Sequence, residues 1–160
     1  MKKNTRGFSL IELLIVVAII LIIAAIAIPN LLRSRIAANQ SSAVGSLRTL
    51  NTAEVTYSST YNQGYSAALS YVGPPAAGAS TTSLAAGLID EVLAGGTKSG
   101  YQFTYTPGPT DPSGKVDTYT ITATPISTST GTNSYYTDQS GVIRQNSTTV
   151  AGSTDSPIGG

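Results

Sequence analysis

Three residues near the amino terminus have types and a spacing that would support an interaction between two copies of the chain. They are Gly7, Phe8 and Glu12, and they lie where a basic leader meets an apolar stretch. Cleavage of the peptide bond after Gly7 would create an α-amino group on Phe8. In a medium of low dielectric constant, this amine would attract the Glu12 carboxylate of a neighbouring copy. The attraction would offset the cost of an acidic group in a membrane, about 2.5 kcal/mol or more near the bilayer centre.

The composition argues against most other chemistry. The chain has 160 residues and contains neither cysteine nor histidine. Disulfides and thiolate metal sites are therefore excluded, and the side chain that most often serves as general base and metal ligand is missing. Removal of residues 1–7 would take three of the nine basic side chains and leave six against eight acidic ones, without a basic patch for nucleic acid. We expect a protein that is not an enzyme, uses no cofactor or metal and binds no nucleic acid.

An apolar stretch follows the leader. Residues 8–28 are 21 in number, and only Ser9 and Glu12 among them are polar. At about 1.5 Å per residue, a helix of this length measures roughly 31 Å, close to the ~30 Å hydrocarbon core of a bilayer. Because basic residues precede it, the amino terminus is expected in the cytoplasm. The sequence thus predicts a leader over residues 1–7 and a transmembrane helix over residues 8–28.

Residues 29–61 predict an amphipathic continuation of the same helix. Apolar side chains recur there at three-, four- and seven-residue steps, as they do on one face of a helix. These side chains are Ile36, Ala43, Leu47, Leu50, Tyr57 and Tyr61. Asn62, Gln63 and Gly64 then favour the end of the helix.

Residues 62–98 predict a loop that contains a short helix. Proline, glycine, alanine and serine dominate its first part, which is typical of irregular structure. Ser83 would cap the short helix, and Gly95 and Gly96 would end it.

Residues 99–160 predict an antiparallel β-sheet followed by a C-terminal tail. The hydrophobic period is two over residues 101–106 and 118–123, and two more short strands are expected around Ser134–Thr137 and Gly141–Gln145. The last dozen residues would fray or lie flat on the surface. One face of such a sheet is apolar, and the amphipathic half of the long helix is the only large partner available to cover it. The expected fold class is therefore α+β.

The segment from Gly7 to Leu13, together with the apolar run behind it, resembles the class III signal of type IV pilins and type II secretion pseudopilins. The resemblance implies that a prepilin peptidase cleaves after Gly7 on the cytoplasmic side and N-methylates Phe8. It also implies that Glu12 guides docking of a subunit into the growing filament, because its carboxylate meets the Phe8 amine of the adjacent copy.

Pro29 also matches this family, whose helices bend or locally melt at that position during assembly. Proline lacks the N–H donor that an unbroken helix needs, which is consistent with such a role. Many family members carry a glycine eight residues before the proline, whereas this chain has Leu21 there. Melting over residues 21–29 is accordingly less well supported than in those relatives.

The function that the resemblance implies is that of a pilin, the structural subunit of a type IV pilus-like helical filament. The subunit would wait in the inner membrane, and an assembly platform in that membrane would join identical copies into an extracellular filament. The alternative within the same family is a pseudopilin, which forms a short periplasmic pseudopilus in a type II secretion system.

Two interpretations of the apolar segment outside that family remain open. An ordinary signal peptidase could cut after Ala27 and release a chain that begins at Ile28. The apolar helix could instead be a permanent anchor for a monomeric periplasmic binding domain. Both readings leave Glu12 unexplained, because neither needs an acidic residue inside the apolar stretch.

Two further groups of residues could form a metal site or sites of modification. Asp111, Asp117 and Asp138 could together hold Ca²⁺, but no spacing like that of an EF-hand is present and solvated turn aspartates are the simpler interpretation. Asn39 and Asn146 each begin a triplet that matches a glycosylation acceptor, although such triplets are common by chance.

Overall fold

A computed structural model describes residues 8–159 and shows the α+β fold that the sequence predicts. Helix α1 runs over Leu10–Tyr61 and contains 52 residues. The chain divides into two compact units, Met1–Arg35 and Ile36–Gly160, and α1 contributes residues to both. The predicted leader, residues 1–7, lies outside the described residues.

The second unit contains all the remaining elements. Their bounds are Leu69–Val72 for a 3-10 helix, Glu91–Ala94 for α2, Thr97–Lys98 for β1, Tyr101–Pro107 for β2, Tyr119–Pro125 for β3, Ser134–Asp138 for β4 and Arg144–Asn146 for β5. The strands form one antiparallel sheet in the order β1-β2-β3-β4-β5. Because every pair of neighbours is consecutive in the sequence, the sheet is a simple meander without crossover connections.

The core of the second unit lies between one face of this sheet and the apolar stripe of α1. The α1 side chains that contribute to it are Ala43, Leu47, Leu50, Ala53 and Tyr57, all buried. Their partners from β2 and β3 come from alternate positions, since successive side chains of a strand point to opposite faces. The stripe predicted on the helix and the period of two predicted for these strands therefore meet in one core.

The short helix lies further along the chain than the sequence predicts. It begins at Glu91, and Asp90 caps it by accepting a hydrogen bond from the Leu93 amide at 2.9 Å. Residues 84–90, where the sequence predicts the start of this helix, are not helical. Gly87 has a left-handed backbone there (φ +67°), and the amides of residues 86–89 donate to carbonyls of the 71–73 segment instead of to one another.

The sheet has one strand more than the sequence predicts, and the C-terminal tail is ordered. β1 was missed because it has only two residues, joined to β2 through Ser99 and Gly100, both at positive φ as in a tight two-residue hairpin. In the tail, the Ile158 amide donates to the Ile143 carbonyl at 2.9 Å, and Ala151 is buried. Backbone pairing beside β5 thus holds residues that were expected to fray or to lie flat on the surface.

Candidate assembly site

Glu12 lies in the first turn of α1, where its carboxylate already has a partner within the chain. Glu12 Oε2 accepts a hydrogen bond from the backbone N–H of Ser9 at 3.0 Å. Ser9 precedes the first helical residue, so this contact is the one that the third helical residue makes in a capping box. The amides at the start of a helix lack intrahelical partners, and the helix dipole places partial positive charge there. The site therefore favours a negative group before any second copy is involved.

Phe8 lies at the same end of α1, and its side chain is 78% exposed. An α-amino group on Phe8 would stand one residue from the Ser9 amide that Glu12 binds. Phe8 and Glu12 therefore both lie at the start of α1. The pairing predicted for them joins two copies of the chain and stays a prediction. Gly7 lies outside the described residues, so cleavage after it stays a prediction.

The rest of the first unit presents apolar side chains to its surroundings on every side. In residues 8–35, no large hydrophobic side chain is buried, and α1 contains an 18-residue window that is long and apolar enough to cross a membrane. Exposed apolar surface in water is unfavourable by about 25 cal/mol per Å². This segment therefore requires lipid or another apolar surface around it.

Pro29 and Leu21 both lie inside α1, which is helical on either side of them. The missing N–H of Pro29 leaves the Ala25 carbonyl without its usual donor four residues later. Bending or melting at Pro29 during assembly stays a prediction, since it concerns a state other than that of the single chain.

Glu54 is a functional candidate that the sequence analysis missed. Its side chain is 0% exposed, its Oε2 accepts from the Ser66 amide at 2.9 Å and its Oε1 accepts from the Ser66 hydroxyl at 2.7 Å. The Tyr105 hydroxyl donates to the Ser66 carbonyl at 2.7 Å. Glu54 thereby ties the segment that follows α1 back to the helix. Its position on the apolar stripe, four residues after Leu50, was the signal that could have revealed it.

Within the part of the chain that the structure describes, no cation neutralises the charge of Glu54. Across residues 8–159 the ion pair present joins Lys98 to Asp90, at 2.8 Å. Burial raises the pKa of Glu54, and the hydrogen bonds from Ser66 oppose that rise. Burial and the nearby Glu54 charge likewise raise the pKa of Tyr105. A buried carboxylate among hydroxyl groups is therefore held by hydrogen bonds alone.

We expect Glu54→Gln to change how stability depends on pH. Because the pKa of Glu54 is raised in the folded state, that state binds the proton more tightly than the unfolded chain does, whose carboxyl has the ordinary value of 4.5. The contribution of Glu54 to stability is thus fully present below about pH 4.5 and is lost as the pH rises through the folded-state pKa. Glutamine has no charge to lose, so the unfolding free energy of the wild type relative to Glu54→Gln should fall with rising pH.

Urea unfolding at several pH values between 4 and 8, followed by the near-ultraviolet signal of the tyrosines, would measure this difference. Glu91→Gln is the matched control, because Glu91 is an exposed carboxylate in the same unit. If the wild type and Glu54→Gln changed in parallel with pH, the buried carboxylate would not carry the effect.

The three aspartates that could have held calcium are not brought together. Among residues 8–159, no group of three or more metal-ligating side chains is present. One oxygen of Asp111 accepts from the Ser113 and Lys115 amides, and one of Asp138 accepts from the Ser140 amide, as is common in turns. These carboxylates stabilise the loops in which they lie.

Both possible glycosylation asparagines are engaged in hydrogen bonds. Asn39 Nδ2 donates to the Thr130 carbonyl and Asn146 Nδ2 donates to Asp155 Oδ1, each at 2.9 Å. In both triplets the nitrogen that would carry a glycan thus already has a hydrogen-bond partner within the chain.

The amino-terminal part of the chain, which includes the helix start and the apolar segment, carries a recognised methylation signal. Residues 2–28 match the family model described as the prokaryotic N-terminal methylation motif. The chain is also homologous to type IV major pilins. Over 54 residues, 34% of this chain, it is 52% identical to the type IV major pilin protein PilA of Myxococcus xanthus. Over 39 residues, 24% of this chain, it is 62% identical to the type IV wide pilus major component PilA4 of Thermus thermophilus.

The similarity covers a limited part of each relative. The matched residues span 24% of the Myxococcus protein and 30% of the Thermus protein. No solved structure matches the chain significantly. The methylation motif and the homology are therefore established for part of the chain.

Proposed function

We propose that the chain is the structural subunit of a type IV pilus-like helical filament built from identical copies. A prepilin peptidase removes residues 1–7 in the cytoplasm and N-methylates Phe8, and an inner-membrane assembly platform then adds the subunit to the filament outside that membrane. The observation that carries the proposal is an apolar helix, exposed on every side, that begins with a methylation motif and belongs to a chain homologous to major pilins.

The physical driving force is the need to keep the apolar half of α1 covered. Lipid tails are as apolar as leucine, so hydrophobicity alone hardly distinguishes the membrane from a bundle of such helices. Packing between helices and the pairing of Glu12 must therefore supply the specificity. In the single chain, Glu12 has a neutral partner, the Ser9 amide. The Phe8 amine of an adjacent copy would offer it a full positive charge at low dielectric constant, which is a stronger interaction.

The comparisons favour a pilin over a pseudopilin. Both relatives reported above are named as major components of pili, and neither is named as a secretion protein. The chemistry of leader removal and docking is the same in the two cases. Surface filaments that disappear when the gene is deleted would support the pilin, whereas a secretion defect without such filaments would support the pseudopilin.

Mass spectrometry of the mature protein tests the proposal most directly. The expected result is a chain that begins with N-methylated Phe8 and is recovered from purified filaments. A mature chain that begins at Ile28 would indicate ordinary signal peptidase instead. Polymerised subunits that still carry Met1 would contradict the role of the Phe8 amine.

Gly7→Val is expected to block leader removal. A branched side chain next to the scissile bond restricts the backbone and obstructs approach of a peptidase, whereas glycine leaves that backbone accessible. Most of the protein should then accumulate in the membrane fraction with its leader attached, and filaments should be absent. An immunoblot that resolves the two forms would measure the ratio. Lys3→Gln, a change in the same leader away from the bond, is the control, and efficient cleavage of Gly7→Val would remove Gly7 from the proposed site.

A further inference from the structure

The charged residues of α1 mark out a length that corresponds to one bilayer. Between Glu12 and Arg33 lie residues 13–32, 20 positions without a charged side chain. All of them are helical. At about 1.5 Å per residue they span roughly 30 Å, the thickness of a hydrocarbon core. When Glu12 lies at the cytoplasmic boundary, Arg33 therefore lies at the opposite one.

Arg33 and Arg35 are both exposed, and neither forms an ion pair within residues 8–159. The acidic side chain of their own unit is Glu12, 21 residues before Arg33 and thus about 31 Å away along the helix. Residues that are two positions apart in a helix, as Arg33 and Arg35 are, differ by about 200° in direction. The two guanidinium groups therefore leave α1 on opposite sides. Leu31 and Leu32, also exposed, come directly before them. The helix thus changes from apolar to cationic within one turn.

We propose that Arg33 and Arg35 bind the phosphate groups of anionic phospholipids in the leaflet that faces away from the cytoplasm. A guanidinium presents paired donors that match a phosphate, and its long side chain can reach the headgroups while its stem stays among lipid tails. The inference rests on the proposed function only in requiring that α1 spans the membrane before assembly.

After the leader is removed, these two arginines carry all the basic side-chain charge near the apolar helix. Lys2, Lys3 and Arg6 leave with residues 1–7, and Arg33 and Arg35 are then the only basic side chains before Arg48. In the mature chain, lipid contacts of Arg33 and Arg35 would anchor the end of the apolar helix that lies away from the cytoplasm. These contacts must be broken when a subunit enters a filament. The anionic lipid content of the membrane would therefore regulate how readily subunits are extracted.

The membrane-spanning unit of a second copy is a weaker candidate partner for these arginines. Copies inserted in the same membrane lie in the same orientation, so each places its Glu12 at the opposite boundary, about 31 Å from the arginines of its neighbour. Phosphate groups, in contrast, are present at the depth of Arg33 around every inserted copy. The observations favour lipid for this reason.

The test is the selectivity of the full chain for spin-labelled phosphatidylglycerol over spin-labelled phosphatidylcholine in reconstituted vesicles. The wild type should prefer phosphatidylglycerol, and Arg33→Gln/Arg35→Gln should lose most of that preference. Each arginine near an anionic surface is expected to contribute about fivefold. Arg48→Gln/Lys115→Gln removes the same charge outside residues 8–35 and should keep the wild-type preference. The leader is present in all three proteins, so its cations cancel in the comparison.

Two further measurements complete the test. Arg33→Lys/Arg35→Lys should keep much of the preference, because the charge remains, and 1 M salt should abolish it in the wild type. Equal preference in the glutamine variant and in the control would overturn the proposal. So would arginine-dependent self-association in vesicles of phosphatidylcholine alone. Leader cleavage and filament formation are scored separately, so that failure of the pilus function and failure of lipid binding give different results.

Discussion

Replacement of Glu12 by alanine is expected to abolish filament assembly while leader removal continues. The alanine variant keeps the apolar surface of the helix, so it should enter the membrane and reach the peptidase as the wild type does. It lacks the carboxylate that would attract the Phe8 amine of the adjacent copy. Because lipid and a helix bundle are almost equally apolar, the variant keeps helix packing alone as a source of preference for the filament. Electron microscopy for filaments and mass spectrometry of the mature amino terminus would measure the two outcomes.

Glu12→Gln separates the charge from the hydrogen bond. Glutamine keeps an oxygen that can accept from the Ser9 amide, as Glu12 does in the single chain. It cannot form an ion pair, so we expect it to assemble as poorly as Glu12→Ala. Glu91→Ala, which removes an exposed carboxylate from the second unit, should leave filaments intact. Normal filaments in Glu12→Gln would show that Glu12 acts as a helix cap, and normal filaments in Glu12→Ala would contradict the docking mechanism.

Gly64→Ala is expected to destabilise the second unit by about 3–5 kcal/mol. Gly64 has a left-handed backbone (φ +77°), and a Cβ there would come far inside van der Waals contact with the backbone carbonyl of Val116. The left-handed conformation alone is unfavourable for alanine by about 1–2 kcal/mol, and the steric overlap adds a comparable or larger amount. A typical domain is stable by only about 5–15 kcal/mol, so the change is large.

Gly78→Ala isolates the steric part of this effect. Gly78 has a similar backbone (φ +81°), but nothing lies within 4 Å of the position of its Cβ. Gly78→Ala should therefore lower the unfolding free energy only by the conformational contribution, about 1–2 kcal/mol. Urea unfolding of the two variants in detergent, followed by tyrosine circular dichroism, would measure the difference. Equal losses of unfolding free energy in the two variants would mean that the backbone around Gly64 and Val116 moves to accommodate the Cβ without strain.

The features that could be predicted from sequence are those with a local pattern. Leu47, Leu50 and Tyr57 recur at helical spacing, and all three are buried in the core. The end of α1 at Tyr61 was predictable because Gly64 and its polar neighbours disfavour a helix. The place of Glu12 in the first turn of α1 was equally local, because the apolar run that forms the helix begins around it.

The features that were missed depend on contacts between distant segments. Glu54 is buried on the apolar stripe because Ser66, 12 residues later, supplies two hydrogen bonds to it. The helical pattern after Ser83 was overridden because those amides found carbonyl partners in another segment. The C-terminal tail is ordered because the Ile158 amide pairs with Ile143 beside β5.

The sequence by itself determined the bilayer-length apolar helix, the place of Glu12 at its start and the α+β class. These follow from charge order, hydrophobic length and period, which are properties of neighbouring residues. Only the tertiary structure decided that Glu54 would be buried against Ser66, that α2 would begin at Glu91 and that the tail would be paired. Those outcomes depend on which distant donors meet which acceptors, because a buried polar group is stable only where its partner happens to lie.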